Sequence, residues 1–557
     1  MSERAENTIM LPPGMAGKLD ELFAFANRSD APGFTVGIAR GGRTLYRKGF
    51  GMASLEHATK NVPTTRMRIG STTKHFACLC ALLLVEEGKL DIDASVRAYM
   101  PELPVLSGAP TLRQLMTHSG GHHCYLDLAF LADGMAVKPI GSAIETQIRQ
   151  QGVNFAPGER MMYNNGGYHV LSRVIERVSG MPLRTFMRER LFEPLGMSDT
   201  DLVPSDFEIG AGMATLHMPM PDGSYRRGIF PSEEVLGEGG ITSTVDDMLK
   251  WVAHLRNPRL FGNAQTWREM FEPTTLKNGF VIDYSLGLMR YTHRGVETIC
   301  HAGGVMGGGG QMLTAPAKEL DIVVLNNTGG IDPAQLTFSI LSLLLHDEGL
   351  LAATPTVPAK TYGPLLGRKF HSSERGLFLA FEDKDGALCV SAFNSPAVPL
   401  VDMGDVLMLE FHKFAVGPFE FDKSQCADQV ERPLTLRVLD AGTPVHLKCV
   451  DPVVDLQAAM DCLVGTYACT DMAATAKVVR QGEELRLKFQ GEYGRNELVL
   501  EPFAGGVLTF KAARSDVPVD GIVETHQVDG QVRALLLSTT RSTRIRLTRV
   551  PESTNVA

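Results

Sequence analysis

The stretch that decides the fold of this chain is Arg68-Ile69-Gly70-Ser71-Thr72-Thr73-Lys74-His75-Phe76. Residues three apart in a helix share one face, so the hydroxyl of Ser71 and the amine of Lys74 point the same way. Residues 71–87 are apolar nearly all round, which predicts a buried helix, and Gly88 is placed to end it. Burial lowers the pKa of a lysine, which would let Lys74 take the proton of a serine nucleophile. The alternative is a helix-capping serine with a surface lysine, because chance alone supplies on the order of one Ser-x-x-Lys in a chain this long.

A second motif is Tyr163-Asn164-Asn165, which opens an amphipathic helix predicted over residues 165–179. A tyrosine phenol can relay a proton when a nearby cation lowers its pKa. An asparagine amide can hold a substrate carbonyl. The alternative is an asparagine helix cap beside a core tyrosine.

A third motif is His301-Ala302-Gly303-Gly304, which precedes a run of glycines at 307–310 and a predicted strand. Glycine lets a substrate backbone approach a strand edge closely. A backbone N–H here could complete an oxyanion hole with the N–H of Ser71. A glycine-rich hairpin is the alternative, and a phosphate loop is disfavoured because no Lys-Ser/Thr follows the glycines.

The composition excludes several classes of protein. The net charge of -9 over 557 residues and the absence of any basic run argue against a partner with a phosphate backbone, so no nucleic acid is expected. The apolar segments 76–85 and 338–345 are too short to span a membrane, and residues 1–6 do not begin a signal peptide. Nine cysteines without a Cys-x-x-Cys argue against a disulfide framework or a zinc site and favour a cytoplasmic location.

Metal ions and cofactors are not predicted. The histidines at 118, 122 and 123 are close in sequence, but no carboxylate with metal-ligand spacing accompanies them, so a polar turn is the preferred interpretation.

The pattern of apolar and polar residues changes after a proline-bearing linker at 351–360. Residues 1–350 mix helix and strand patterns, which predicts one large α/β domain. Residues 351–455 and 456–557 each contain short, evenly spaced, alternating strands, which predicts two small antiparallel barrels or sandwiches.

Taken together, the three motifs resemble those of the penicillin-recognising serine hydrolases, which comprise β-lactamases, DD-carboxypeptidases, related esterases and D-aminopeptidases. The resemblance extends over about residues 20–345 and includes four further segments, at 111–121, 192–200, 238–244 and 284–288. It implies a β-lactamase-like catalytic domain of mixed α+β and α/β character, with an antiparallel sheet flanked by helices and an all-α subdomain.

The resemblance also implies a role for each motif residue. Ser71 would be the acylated nucleophile, Lys74 its base and Tyr163 the proton relay. Asn165 would bind the substrate amide. The backbone of Gly303 and Gly304 would bind substrate, with the N–H of Gly304 in the oxyanion hole.

His301, counted here among the catalytic residues, departs from the β-lactamase pattern, because most β-lactamases and many carboxypeptidases carry a lysine at that place. A lysine is cationic and suits a substrate carboxylate, whereas a histidine, with a reference pKa of ~6.5, is mostly neutral at pH 7. This difference weakens the case for penicillins and favours amides, esters and N-terminal peptide bonds.

The two trailing β domains resemble those of the D-aminopeptidases, in which a loop of the last domain closes the active site around an N-terminal residue. The expected loop is 513–521, with Asp516 as the anchor for the substrate ammonium, and 491–495 is the competing loop. The alternative for Asp516 is a solvated turn aspartate.

The sequence therefore predicts a serine hydrolase that acts through an acyl-enzyme and releases N-terminal D-amino acids from small peptides, amides or esters. A homodimer is implied by the resemblance alone, and no membrane partner is expected. One alternative is an esterase, DD-carboxypeptidase or β-lactamase of the same fold. Another is a non-catalytic binding or sensor protein that kept the scaffold.

Overall fold

A six-stranded antiparallel sheet organises the first part of the fold in the computed structural model, which describes residues 10–409, 419–423, 435–453 and 456–551. The two strands at its centre, Gly308–Ala315 and Leu320–Asn326, are buried along their whole length. In spatial order, the six strands are Met289–His293, Val296–Val305, Gly308–Ala315, Leu320–Asn326, Phe34–Arg40 and Arg43–Phe50.

Both faces of this sheet are covered by helices, which explains why its central strands are buried without alternation. The helices Met15–Leu22 and Pro333–Leu344 contribute Leu19, Phe338 and Leu341 to a core that includes Phe34 and Val324 of the sheet. Val245–Arg256 packs closely on the strand Phe34–Arg40: a Cβ built on Gly37 would lie 3.0 Å from the Leu249 side chain.

The chain falls into two compact units, and the first comprises the described residues of Met1–Asp93, Leu171–Thr274 and Asp283–Ala353. Its helices are Met15–Leu22, Lys74–Glu86, Leu183–Met187, Glu193–Leu195, Val245–Arg256, Ala264–Phe271 and Pro333–Leu344, with 3₁₀ turns at Ala24–Ala26, Gly70–Thr73 and Pro316–Lys318 and a π-helical turn at Arg188–Phe192. Its short strands are Met52–Ser54, Thr59–Lys60, Met67–Arg68, Asp201–Leu202, His217–Pro219, Tyr225–Arg227 and Ile241–Ser243.

The second unit comprises the described residues of Ala94–Val170, Thr275–Ile282 and Thr354–Ala557. Outside its barrels it has the helices Leu112–Met116, Tyr125–Asp133, Ser142–Ile148 and Leu456–Asp461, the 3₁₀ turns Val96–Ala98, Ala359–Leu365 and Ala504–Gly506, and the strand Val281–Ile282. The helix Asn165–Ser179 and the strand Thr274–Thr275 each contain a boundary between the units.

Two closed eight-stranded antiparallel barrels form most of the second unit. The first barrel consists of Lys369–Ser372, Leu377–Lys384, Ala387–Ala392, Val398–Asp402, Val406–Leu409, Phe419–Asp422, Thr435–Asp440 and Thr443–Cys449. The second barrel consists of Gly465–Cys469, Ala474–Gln481, Glu484–Gln490, Arg495–Phe503, Val507–Ala512, Asp520–Val528, Gln531–Ser538 and Ile545–Arg549.

Alternation of side chains gives the barrel strands one buried face and one exposed face. In the strand Glu484–Gln490, Leu485, Leu487 and Phe489 are buried and the intervening residues are not. Each barrel closes by pairing its first strand with its last, as in the Tyr467–Arg549 pair of the second barrel, and closure removes the exposed sheet edges.

The predicted architecture agrees with the structure: an antiparallel sheet flanked by helices is followed by two antiparallel barrels. The domain boundaries at 350 and 455 stay a prediction, since the compact units group residues 94–170 with the barrels. Cys426 and the first six residues lie outside the described residues, and no disulfide links the eight cysteines that are described. Within the described ranges, every helix is too short or too polar to cross a membrane.

Candidate active site

Ser71 and Lys74 are in direct contact in the first unit. Ser71 lies in the 3₁₀ turn Gly70–Thr73, and Lys74 is the first residue of the α-helix that continues it. The Nζ of Lys74 donates to the Oγ of Ser71 over 3.0 Å and to the carbonyl oxygen of Glu238 over 2.6 Å. The Lys74 side chain is completely buried, whereas Ser71 is half-buried. This arrangement places an amine within hydrogen-bond distance of a partly accessible hydroxyl, which is the distance that transfer of the serine proton to the lysine requires.

The strand Val296–Val305 runs close to the backbone that carries Ser71. A Cβ on Gly303 would overlap the carbonyl oxygen of Ile69 and would lie 2.9 Å from the Ser71 nitrogen. A Cβ on Gly70 would likewise lie 2.9 Å from the Gly304 nitrogen. Only glycine fits at both positions. Around Gly304 the space is open, because no described atom lies within 4 Å of its Cβ position.

His301 is a buried, neutral histidine on the same strand. Its Nδ1 donates to the Ala302 carbonyl over 2.6 Å, so the proton is on Nδ1 and Nε2 accepts from the Tyr284 hydroxyl over 3.2 Å. Burial, and then the charge of Lys74, lower the pKa of His301 to about 3. His301 therefore carries no positive charge at neutral pH.

Tyr163 lies in the second unit, just before the helix Asn165–Ser179. Its ring is 4.2 Å, centroid to centroid, from the ring of His118. The Nδ1 of His118 accepts from the backbone N–H of Asn164 over 3.0 Å, which ties the tyrosine segment to the His118 turn. His118 is a supporting residue that the sequence interpretation had treated only as part of a polar turn.

Asn164 caps the helix that follows Tyr163, and Asn165 is buried in its first turn. The Oδ1 of Asn164 accepts from the Gly166 N–H over 2.7 Å, and its Nδ2 donates to the His122 carbonyl over 2.5 Å. Asn165 is 6% exposed. The capping role is therefore filled by Asn164, and the predicted amide-binding role of Asn165 stays a prediction.

The three neighbouring histidines at 118, 122 and 123 are all buried in the second unit. His123 is buried, its Nε2 donates to the Thr543 carbonyl over 3.1 Å, and its Nδ1 lies 3.4 Å from Asp471. Burial lowers the pKa of His122 to about 4. Within the part of the chain that the structure describes, no group of three or more His, Cys, Asp or Glu side chains is arranged to hold a metal ion.

The second barrel contacts the tyrosine segment through the connection 539–544, which the sequence interpretation did not single out. The Arg541 guanidinium lies 5.8 Å from the centroid of the Tyr163 ring and 3.9 Å from the Oδ1 of Asp127. The local sequence predicts only a polar turn between two alternating strands. It does not indicate that Arg541 contacts Tyr163.

The two loops proposed from the sequence, 513–521 and 491–495, make different contacts. Asp516 lies in the turn before the strand Asp520–Val528 and is ion-paired with the exposed Arg514 over 2.6 Å. In the competing loop 491–495, the N–H groups of Tyr493 and Gly494 each donate to the Oδ1 of Asp133 over 3.0 Å. The assignment of the amine anchor to Asp516 stays a prediction.

Asp520, at the end of the same loop, differs from Asp516 in its environment. Burial raises its pKa to about 6, and the negative charge of Asp127 adds to the effect. It is the second acidic residue of the loop 513–521.

The structure thus brings Ser71, Lys74, His301, Gly303 and Gly304 together in the first unit. It places Tyr163, Asn165 and Asp516 in the second. That the two sets act on one substrate stays a prediction from the sequence resemblance.

Comparison with known proteins is consistent with this geometry. The family model described as Beta-lactamase matches residues 19–342. A D-aminopeptidase of Brucella melitensis biotype 1 is 26% identical over 492 residues, which cover 86% of this chain and 87% of that protein. A D-aminopeptidase of Brucella anthropi is 25% identical over 481 residues and 84% of each chain.

Solved structures resemble this fold at low sequence identity. The octameric penicillin-binding protein homologue from Pyrococcus abyssi superposes with a TM-score of 0.53 at 20% identity, covering 96% of this chain and 99% of that one. The D-amino acid amidase from Ochrobactrum anthropi SV3 superposes with a TM-score of 0.51 at 22% identity, covering 60% of this chain and 99% of that one.

Proposed function

Because this chain belongs to the β-lactamase family, we propose that it is a serine hydrolase that releases N-terminal D-amino acids from small peptides, amides or esters through an acyl-enzyme. The family predicted from the sequence motifs is confirmed by the match over residues 19–342. The activity is proposed from the site and from the relatives, as follows.

The observation that carries the proposal is the 3.0 Å contact between the Nζ of the fully buried Lys74 and the Oγ of Ser71. The proposed reaction begins when the Ser71 Oγ attacks the substrate carbonyl and its proton passes to Lys74. The new oxyanion is stabilised by the backbone N–H groups of Ser71 and Gly304. The C–N bond then breaks, and the amine leaves with a proton that is relayed through Tyr163. Water hydrolyses the resulting ester and restores the serine.

The neutral state of His301 supports an amide or amine-bearing substrate over one that carries a C-terminal carboxylate. A buried histidine whose pKa is about 3 offers no positive charge to a carboxylate at neutral pH. A β-lactam or a C-terminal D-alanyl peptide would thus lack the charge partner that a lysine provides.

The length of the similarity supports an aminopeptidase in particular. The match to the Brucella melitensis D-aminopeptidase extends over 492 residues, whereas the family model ends at residue 342, so the similarity continues into the barrel-forming region. We therefore propose that the D-amino acid selectivity of those relatives is shared by this chain.

The proposal is tested by the p-nitroanilides of D-alanine and L-alanine, each with a free and with an acetylated amine. Faster hydrolysis of the free D-alanine substrate is expected. Equal rates on the D and L forms would contradict the stereochemical claim. An unchanged rate on the acetylated substrate would contradict an amine anchor and would favour the esterase alternative.

The amine anchor is tested by a matched pair of variants in one loop, Asp516→Asn and Asp520→Asn. We propose Asp516 as the anchor, so Asp516→Asn should raise KM for the free amine about 10-fold or more and leave the acetylated substrate unaffected. The same result with Asp520→Asn alone would transfer the role to Asp520.

We also propose that the protein is a cytoplasmic homodimer. Light scattering after size-exclusion chromatography would test the dimer, since a single peak at the 60.6 kDa mass of one chain would contradict it. Cell fractionation would test the location.

A further inference from the structure

The connection 539–544 of the second barrel, called here the barrel turn, is fixed firmly against the helical segment of the second unit. The backbone N–H of Cys124 donates to the Ser542 Oγ over 2.9 Å. The Thr543 N–H donates to the Asn154 Oδ1 over 2.7 Å. Thr539, Ser542 and Thr543 are all buried. The barrel turn is therefore buried and hydrogen-bonded to the helical segment.

Arg541 is held at the centre of the barrel turn by its own backbone. Its N–H donates to the Thr539 Oγ1 over 3.3 Å, and its carbonyl accepts from the Asn154 Nδ2 over 3.2 Å. These bonds direct the side chain toward Tyr163, whose ring centroid is 5.8 Å from the guanidinium carbon. That separation is within the range of a cation–π contact.

The charge of Arg541 is only loosely balanced. An Asp127 oxygen lies 3.9 Å away, which is longer than a hydrogen bond, and Asp127 also accepts a short bond from Thr539. The Nε of Arg541 is buried and makes no hydrogen bond to any described residue. Since arginine stays protonated at all working pH values, Tyr163 has a permanent, partly unneutralised cation against its ring.

A cation of this kind is what a tyrosine needs to take part in proton transfer at neutral pH. A nearby positive charge favours the phenolate over the phenol.

We infer that Arg541 is a positioning residue for Tyr163: its guanidinium orients the ring and stabilises the phenolate that accepts and returns the proton, so the second barrel takes part in the reaction. This inference rests on the proposed function, in which Tyr163 relays a proton to the leaving amine. It makes the barrel turn an electrostatic component of the site as well as a structural contact.

Other charged and titratable groups of the second unit face this pair from the elements packed around it. His118 lies beside the Tyr163 ring, and Cys124 and Asp127 interact electrostatically with Arg541. His123 and Asp520 in turn interact electrostatically with Asp127. Asp127, which lies 3.9 Å from the Arg541 guanidinium, opposes the effect of that cation on the phenol, so Asp127 is kept unchanged in every variant that is compared.

The direct test is a titration of Tyr163 that does not depend on any substrate. The ultraviolet difference spectrum between wild type and Tyr163→Phe isolates the ionisation of this tyrosine from that of the other ten. The same difference is recorded in Arg541→Met and Arg541→Gln backgrounds. We expect the midpoint to rise by about one pH unit or more in both and to return toward the wild-type value in Arg541→Lys.

Arg546→Met is the matched control, because Arg546 is an exposed arginine on the following strand. The midpoint of the Tyr163 titration in Arg546→Met should equal that in wild type. An unchanged midpoint in folded Arg541→Met or Arg541→Gln would overturn the inference. So would a shift of equal size in Arg546→Met.

Kinetics provide the second readout. With a free D-alanine amide, Arg541→Met should lower kcat about 10- to 100-fold, keep KM within about threefold and move the pH limb that reports Tyr163 upward, and Arg541→Lys should recover most of kcat. A fall in melting temperature without a shifted pH limb would show a structural role only and would overturn the inference. If wild type itself does not hydrolyse the amide, the proposed function fails, and the spectroscopic titration still decides the role of Arg541.

Discussion

The Nζ of Lys74 lies 3.0 Å from the Oγ of Ser71, and the same nitrogen donates to the Glu238 carbonyl over 2.6 Å. The second contact fixes the lysine, which leaves it little freedom to turn away from the serine. Ser71 and Lys74 can touch because they are three positions apart in the sequence. The burial of the lysine, in contrast, depends on the sheet and helices around it. The predictions below follow from this pair and from the backbone and side chains that surround it.

Replacing Lys74 by Met should abolish most of the activity without abolishing the fold. The methionine fills a similar volume but accepts no proton, so kcat should fall by about 10³-fold. Lys89→Met is the matched control, because Lys89 is an exposed lysine just beyond the same helix. The measurement is the steady-state rate on a free D-alanine amide, and a Lys74→Met rate above a tenth of wild type would rule out Lys74 as the base.

His301 should make the protein less stable as the solution is acidified. Its pKa is about 3 in the folded protein and ~6.5 when unfolded, so between these values the unfolded chain binds more protons. The stabilising effect of the neutral histidine is complete above pH 6.5 and is lost progressively as the pH falls toward 3. One proton corresponds to a slope of about 1.4 kcal/mol per pH unit.

The variant His301→Gln should therefore lose less stability between pH 7 and pH 5 than wild type does. His75, His122 and His254 are also histidines whose pKa is lowered by burial, and they maintain part of the slope in both proteins. The measurement is the melting temperature of the two proteins at several pH values. Parallel curves would show that His301 does not titrate as described.

Gly303 and Gly304 should respond differently to the same substitution. Gly303→Ala places a methyl group against the Ile69 carbonyl, so the strand must move, at a cost of about 1–3 kcal/mol. Gly304→Ala enters open space and should leave the melting temperature within about one degree of wild type. Thermal unfolding of the two variants side by side checks this, and equal losses would mean that the strand does not approach Ile69 as closely as described.

Asn164 should contribute to stability through two separate bonds. Asn164→Ala removes the helix cap on Gly166 and the donor to His122, with a loss of about 1–2 kcal/mol. Asn164→Asp keeps the cap and loses only the donor, so its melting temperature should lie between those of Asn164→Ala and wild type. If the two variants melt together, the cap contributes nothing measurable.

The parts of this protein that the sequence could predict are the local ones and the repetitive ones. Ser71 and Lys74 are three residues apart on a helix, so their contact follows from helical geometry. The barrels follow from strands such as Glu484–Gln490, in which apolar and polar residues alternate. In both cases the structure depends on a spacing of two or three residues, which is visible in the sequence itself.

Contacts that depend on how distant segments pack could not be predicted in the same way. Arg541 and Tyr163 meet because the barrel turn is hydrogen-bonded to Cys124 and Asn154, and no local pattern encodes that pairing. The choice between Asn164 and Asn165 as the helix cap was equally open, since the two are adjacent and chemically identical. The turn that contains Asp516 can be predicted from its local sequence, but the ion pair between Asp516 and Arg514 depends on the geometry of that turn.

The central claim is that Ser71 is acylated by a D-aminoacyl substrate, and its most direct test is mass spectrometry of the protein quenched during turnover of an activated D-alanine ester. The account predicts one alanyl group on the peptide that contains Ser71, absent from Ser71→Ala and less abundant with the L-alanine ester. Turnover without an adduct on Ser71, or an adduct on another residue that persists in Ser71→Ala, would contradict it.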